Sequence, residues 1–134
     1  MQIVELKKNA HLKLSFRNNP TLTSGSCIIK VKSCGVCSTD IYRAFDNGAY
    51  NYPLVMGHEI AGIIKDVGSG VKDFFEGDKV CIFPLKPCFK CTQCKENNFA
   101  LCQNYSYFGS RCDGGYSELL LVNSWNLMKV SKNI

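Results

Sequence analysis

The fold is decided by the stretch Gly57-His58-Glu59-Ile60-Ala61-Gly62-Ile63-Ile64-Lys65-Asp66-Val67-Gly68-Ser69-Gly70-Val71. Ile60 to Val67 is apolar and β-branched, which suits a pleated, packed strand, and Gly68-Ser69-Gly70 closes it as a turn. The same grammar extends in both directions. His11 to Phe16 alternates, Cys27 to Val31 is apolar and β-branched, and Val80 to Phe83 follows a turn at Glu76, Gly77 and Asp78. Gly115 to Val122 and Trp125 to Val130 read as two more strands. Short strands at regular intervals, separated by glycine turns, specify a mainly β barrel or sandwich. One short helix is expected from Ser38 to about Phe45, capped by Ser38, Thr39 or Asp40, with Ile41, Ala44 and Phe45 sharing a face.

A chain of 134 residues has the length of one domain. Its net charge of +5 comes from scattered residues such as Lys7, Lys30, Lys86, Arg111 and Lys129, with no basic block and no nucleic-acid motif. A nucleic-acid partner is therefore not expected. The apolar start, Met1 to Leu6, is interrupted by Gln2 and Glu5 and followed by Lys7 and Lys8, so it lacks the plan of a signal peptide. No apolar run is long enough to span a bilayer. The expectation is a soluble, cytoplasmic protein with no membrane partner.

Nine cysteines is a high and odd count, and in a reducing compartment close, regular spacing points to metal before disulfides. The segment 84–107 has little periodicity and interleaves polar residues with cysteines, as a lobe held by something other than a core would. Within it Cys88, Cys91, Cys94 and Cys102 occur as C-x2-C-x2-C-x7-C. Two-residue gaps let successive thiolates wrap one ion, and a fourth on a longer loop closes the tetrahedron of a structural zinc. Disulfides compete poorly at such short gaps. The bacterial iron–sulfur run ends with a three-residue gap before proline, whereas here the gap is seven residues and Gln103 follows.

The chain has two histidines. His11 lies among alternating strand residues and reads as a surface or core side chain. His58 sits between Gly57 and Glu59, and Cys37 lies at the start of the helix, where the dipole favours a thiolate. By spacing alone these are two ligands and leave the site undecided. Cys34-x-x-Cys37 also matches the thioredoxin pattern, but that fold needs a parallel βαβ context. Cys27, Cys81 and Cys112 read as small packing residues, and Cys34 as a wall of the site.

The pattern G-H-E-x2-G-x5-G-x2-V, through Gly57, His58, Glu59, Gly62, Gly68 and Val71, is similar to the signature of the zinc-containing medium-chain alcohol dehydrogenases. Cys34-Gly35-Val36-Cys37-Ser38-Thr39-Asp40 resembles the same family's catalytic cysteine region, and the cysteine lobe resembles its structural zinc loop. The resemblance covers nearly the whole chain. It implies that residues 1–134 are a GroES-like, partly open β-barrel with short helices and a protruding zinc lobe. It makes Cys37 and His58 ligands of a catalytic zinc, with Glu59 a nearby or exchangeable one. Thr39 would relay the alcohol proton, and Asp40 would orient His58.

The implied activity is oxidation of a secondary alcohol, sugar alcohol or sugar-alcohol phosphate by hydride transfer to NAD or NADP. The chain contains no G-x-G-x-x-G, so the nicotinamide cofactor is expected to bind mainly to a Rossmann domain beyond Ile134, which would also bring the third zinc ligand. The isolated chain is accordingly expected to hold a structural zinc tightly and a catalytic zinc weakly, and to be inactive; the whole enzyme would be a homo-oligomer. Glu59 and the stretch Phe108 to Gly115 resemble the polyol and sugar-alcohol phosphate branch, the galactitol 1-phosphate and sorbitol dehydrogenases. Arg111 in that stretch reads either as a phosphate contact or as an exposed turn residue. The competing function is a non-catalytic, zinc-stabilised binding module.

Overall fold

The computed structural model describes residues 1–131. In chain order the strands are β1 (Gln2–Lys8), β2 (His11–Phe16), β3 (Ser26–Gly35), β4 (Leu54–Val55), β5 (Glu59–Val67), β6 (Lys79–Ile82), β7 (Leu85–Lys86), β8 (Ser106–Tyr107), β9 (Leu119–Asn123) and β10 (Leu127–Lys129). Helix α1 (Ser38–Phe45) lies between β3 and β4, and the single turn α2 (Thr92–Lys95) lies between β7 and β8.

The main sheet has the order β10-β6-β5-β3-β9, with every pairing antiparallel. Alternation turns Cys27 and Ile29, Ile60 and Ile64, Val80 and Ile82, and Leu120 and Val122 to one side, where they bury with Leu127 and Phe108. Each large aliphatic so buried stabilises the fold by about 1.5–3 kcal/mol. Two register shifts in the β3/β5 ladder, one between Ile28 and Ile29 and one between Val31 and Ser33, bend these long strands. A smaller sheet, β2-β1-β4, stands beside the main one, and the two are not joined into one closed ladder. This is the mainly β, partly open barrel that the resemblance implied.

A second core holds the helix. Leu6 of β1, Leu54 of β4, Met56 and Ala44 of α1 are buried together, so α1 rests on the small sheet through its one alanine. The buried residues of α1 are Asp40 and Ala44, whereas Ile41 and Phe45 are each about half exposed. That corrects the apolar face expected from three-and-four spacing. Only a small side chain fits against Leu6 and Leu54, and the position one turn earlier is taken by a carboxylate with polar partners. Cys37, not a residue from Ser38 to Asp40, is the N-cap.

Other boundaries moved for equally local reasons. β1 and β4 were not anticipated, because charges at Glu5, Lys7 and Lys8 break the apolar pattern of β1 and β4 is only two residues long. Glu5 is buried but paired with Lys7 at 2.6 Å and Arg17 at 2.8 Å. β3 continues to Gly35 because its ladder with β5 persists through the polar residues after Val31. Residues 114–116 are not strand, since their N–H groups are taken by the carbonyls of Val55, Gly57 and Met56. The last expected strand splits into a 3-10 turn, Ser124–Asn126, and β10. Buried Asn126 forces the split by donating to the carbonyls of Phe83 at 2.7 Å and Leu85 at 2.6 Å.

Candidate metal centres

The lobe leaves the barrel through the short β7/β8 ladder, which pairs Leu85 with Tyr107 and Lys86 with Ser106. Beyond that neck, Cys91 caps α2, Cys94 lies within it, and a 3-10 turn at Phe99–Leu101 delivers Cys102. The four sulfur atoms lie within 4.8 Å of one another. Cys88 Sγ is 4.0 Å from Cys94 Sγ, and Cys91 Sγ is 4.0 Å from Cys102 Sγ. A disulfide needs about 2.05 Å, whereas thiolates about 2.3 Å from a central zinc stand roughly 3.8 Å apart in a tetrahedron. The arrangement suits an ion.

Backbone donors surround the cluster. The Cys88 amide donates to Cys102 Sγ at 3.2 Å, and the Cys91 amide donates to Cys88 Sγ at 3.4 Å. Amides of Cys94 and Gln103 hold the Cys91 thiol down to about 6, whereas burial pushes Cys94 up to about 12. A bound cation would offset that second cost. Phe89 and Asn97 adopt φ of 57° and 63°, a left-handed conformation that costs a side chain about 1–2 kcal/mol. The chain accepts it in order to wrap the four sulfurs.

The second cluster is dispersed in sequence. β3 and β5 end side by side with Gly35 opposite Glu59, so the exit of β3 into α1 carries Cys37 next to His58 and Glu59. One ligand atom from each of Cys37, His58 and Glu59 lies within 4.8 Å of the others. Cys37 and His58 are partly buried and Glu59 is exposed, so the cluster has an open side. Two glycines make the approach possible. A Cβ on Gly35 would strike the Glu59 carboxylate, and one on Gly57, at φ +90°, would stand 2.7 Å from both Cys34 Sγ and the Tyr116 ring. Cys34 thus packs beneath Gly57, and burial pushes its thiol up to about 11.

Asp40 organises this cluster from below. It is 1% exposed, and its carboxylate accepts from the Cys37 amide at 3.0 Å, the Tyr116 hydroxyl at 3.2 Å and Arg43 at 3.4 Å. It also lies 3.5 Å from Nδ1 of His58, a buried nitrogen with no other polar partner. A carboxylate behind one imidazole nitrogen leaves the other for a metal, the usual outer arrangement of a ligating histidine. The Thr39 hydroxyl and amide lower the Cys37 thiol. Thiolate, imidazole and carboxylate on an open face are donors that zinc accepts, so the residues present fit that ion.

Residues 23–132 match the model of the alcohol dehydrogenase GroES-like domain family. The chain belongs to this family. It is 44% identical over 99 residues to galactitol 1-phosphate 5-dehydrogenase of Escherichia coli K12, covering 74% of this chain and 29% of that protein. It is 34% identical over 114 residues to L-threonine 3-dehydrogenase of Pyrococcus furiosus, covering 82% of this chain and 33% of the relative. The crystal structure of galactitol-1-phosphate dehydrogenase from Escherichia coli superposes with a TM-score of 0.95 at 35% identity, over 100% of this chain and 39% of that one. The chain therefore spans about a third of the length of these relatives.

Three residues of this GroES-like domain carry site geometry that the sequence did not single out. Tyr116 reaches Asp40 from 76 positions away, with a hydroxyl that burial and the nearby carboxylate push well above the usual phenol range. Arg43 donates to the Thr39 hydroxyl at 2.9 Å as well as to Asp40. Tyr107 meets the His58 ring edge-on at 5.9 Å between centroids. Arg43 was legible as the residue one helical turn after Asp40; the tyrosines had no local signal. No helix among the described residues is long and apolar enough to cross a membrane.

Proposed function

We propose that residues 1–134 form the catalytic domain of a zinc-dependent alcohol or polyol dehydrogenase, with a reactive zinc at Cys37, His58 and Glu59 and a structural zinc at Cys88, Cys91, Cys94 and Cys102. One observation carries this reading: two ligand clusters of opposite character occur on one small domain, a four-thiolate cage and an open thiolate–imidazole–carboxylate set backed by buried Asp40. A cage is what a structural ion needs, and an open side is what a substrate oxygen needs. Zinc bound at the open cluster supplies Lewis acidity that eases loss of the proton from an alcohol.

The chain's own groups do the rest. Asp40 holds His58 and, through the Cys37 amide, the start of α1. The Thr39 hydroxyl donates toward Cys37 and accepts from Arg43, which leaves one lone pair to accept a hydrogen bond from a substrate hydroxyl; to relay that proton, Thr39 would turn its own hydrogen from Cys37 to solvent and release it there. Glu59, exposed at the rim, is the ligand that can yield its place. The hydride acceptor is NAD or NADP on a Rossmann domain outside these residues, in a cytoplasmic homo-oligomer. The substrate class is a sugar alcohol or sugar-alcohol phosphate, supported by the identity to galactitol 1-phosphate 5-dehydrogenase.

Cobalt substitution tests the assignment. The purified chain should take up a tightly held cobalt with a four-thiolate spectrum and a weaker one with a distinct spectrum, and His58→Ala should abolish only the second. A single site that ignores His58→Ala would make the domain a zinc-stabilised binding module. With NAD or NADP, the chain alone should not oxidise alcohols.

A further inference from the structure

Arg111 is held in a way that neither of the other arginines is. Arg17 is neutralised by Glu5 and Asp113, and Arg43 is bonded to Asp40 and Thr39. The Arg111 guanidinium instead lies over two rings, with its central carbon 4.5 Å from the centroid of Tyr50 and 4.4 Å from that of Tyr105. Among the described residues no carboxylate or carbonyl pairs with its side-chain N–H groups, and the residue is exposed. Two ring contacts restrain the guanidinium while the residue stays exposed, so its N–H donors, a fork that matches an oxyanion, are open to a ligand.

The backbone ties this clamp to the open metal cluster. The amides of Ser110, Arg111 and Cys112 all donate to the Tyr107 carbonyl, at 3.3, 3.0 and 3.3 Å, which makes a tight turn on the residue whose ring meets His58. Tyr50 comes from the loop between α1 and β4, and Tyr105 from the base of the lobe just before β8. Tyr50 and the 105–112 stretch thus meet at one cation, on a turn anchored at the residue whose ring meets His58. A solvated turn arginine would not need two aromatic rings, one of them from the distant loop that carries Tyr50.

We propose that the Tyr50–Arg111–Tyr105 clamp is the receptor for the phosphate monoester of a sugar-alcohol phosphate whose hydroxyl is presented to the open metal cluster. This rests on the dehydrogenase reading given above and deepens it by naming the group that selects the substrate. A preorganised fork loses little freedom on binding, so the phosphate bonds add affinity that an uncharged polyol lacks. The clamp is a specificity element and takes no part in proton or hydride movement.

The test uses the zinc-loaded chain and the side-chain Nε–H signal of Arg111 in NMR titrations with D-glucitol 6-phosphate, D-glucitol, inorganic phosphate and adenosine 2′,5′-bisphosphate. D-glucitol 6-phosphate should move the Arg111 signal and bind at least about tenfold more tightly than D-glucitol. Inorganic phosphate should move the same signal more weakly, and the bisphosphate, a fragment of the dinucleotide, should leave it in place. Arg111→Gln should remove the preference for the phosphorylated polyol, and Tyr50→Leu, at an exposed position, should reduce it severalfold with the fold intact by circular dichroism. Equal affinity of wild type and Arg111→Gln for D-glucitol 6-phosphate, or a signal moved only by the bisphosphate, overturns the proposal. The cobalt experiment separates the two readings. An intact second cobalt site with an indifferent Arg111 sinks this inference alone, whereas phosphate binding at Arg111 without a second cobalt sinks the catalytic zinc and leaves the anion receptor.

Discussion

Removing the Asp40 carboxylate is the perturbation whose size can be worked out most fully. Asp40→Ala strands one partly buried donor, the Cys37 amide at 3.0 Å, whereas the Tyr116 hydroxyl, 3.2 Å from Asp40, keeps the Gly35 carbonyl at 3.3 Å. A donor left without an acceptor costs about 1–3 kcal/mol. Arg43, 14% exposed, keeps Thr39 and can turn toward water, so it adds little. The cost is about 1–3 kcal/mol, with a further loss of roughly 10–100-fold in metal affinity at the open cluster because His58 loses its outer partner. Urea unfolding of the zinc-loaded chain reads the first quantity, and competition for cobalt against a chelator of known affinity reads the second. Tyr116→Phe supplies the internal control. Because the hydroxyl keeps the Gly35 carbonyl, Asp40→Ala with Tyr116→Phe should be no more stable than Asp40→Ala alone. A loss below about 1 kcal/mol with unchanged cobalt affinity would refute the role given to Asp40.

Gly57→Ala should cost about 2–5 kcal/mol, combining about 1–2 for a left-handed residue with about 1–3 for overlap against Cys34 and Tyr116. Thermal unfolding measures it, and a melting point within a degree of wild type would contradict the packing described. Cys94→Ala should lower zinc content by one equivalent and make the segment 84–107 sensitive to protease, while cobalt still binds at Cys37 and His58; unchanged zinc content would rule out the cage. Glu5 is held down to about 2 from a usual 4.5, mainly by Lys7 with help from Ser15 and Arg17. A depressed carboxyl contributes stability that is complete above about pH 4.5 and lost as pH falls toward 2. The advantage of wild type over Glu5→Gln in urea melts should therefore shrink across that window, and an advantage independent of pH would show that Glu5 acts by shape alone.

Ile60 to Val67, Cys27 to Val31 and Val80 to Phe83 were legible as strands because each carries its own alternation or apolar run, a property of neighbouring residues. The cysteine lobe was legible for the same reason. A spacing of two, two and seven residues brings four thiols within reach of one another, as an ion would require, whatever surrounds them. The helix was placed correctly but its buried face was not, since that depends on how much room Leu6 and Leu54 leave. β1 escaped notice because the partners that make buried Glu5 tolerable include Arg17 and, through it, Asp113, far along the chain.

Composition and short-range pattern thus determined a mainly β domain with one closed ligand set, because strand propensity and thiolate spacing act over a few residues. The open set was different: Cys37 and His58 are 21 positions apart and come within reach of each other only where the end of β3 meets the start of β5. The Tyr116 hydroxyl on Asp40 and the Tyr50 ring on Arg111 come from farther still. Contacts of that kind are produced by strand register and by two glycines that let backbones approach, quantities that no local window of residues contains.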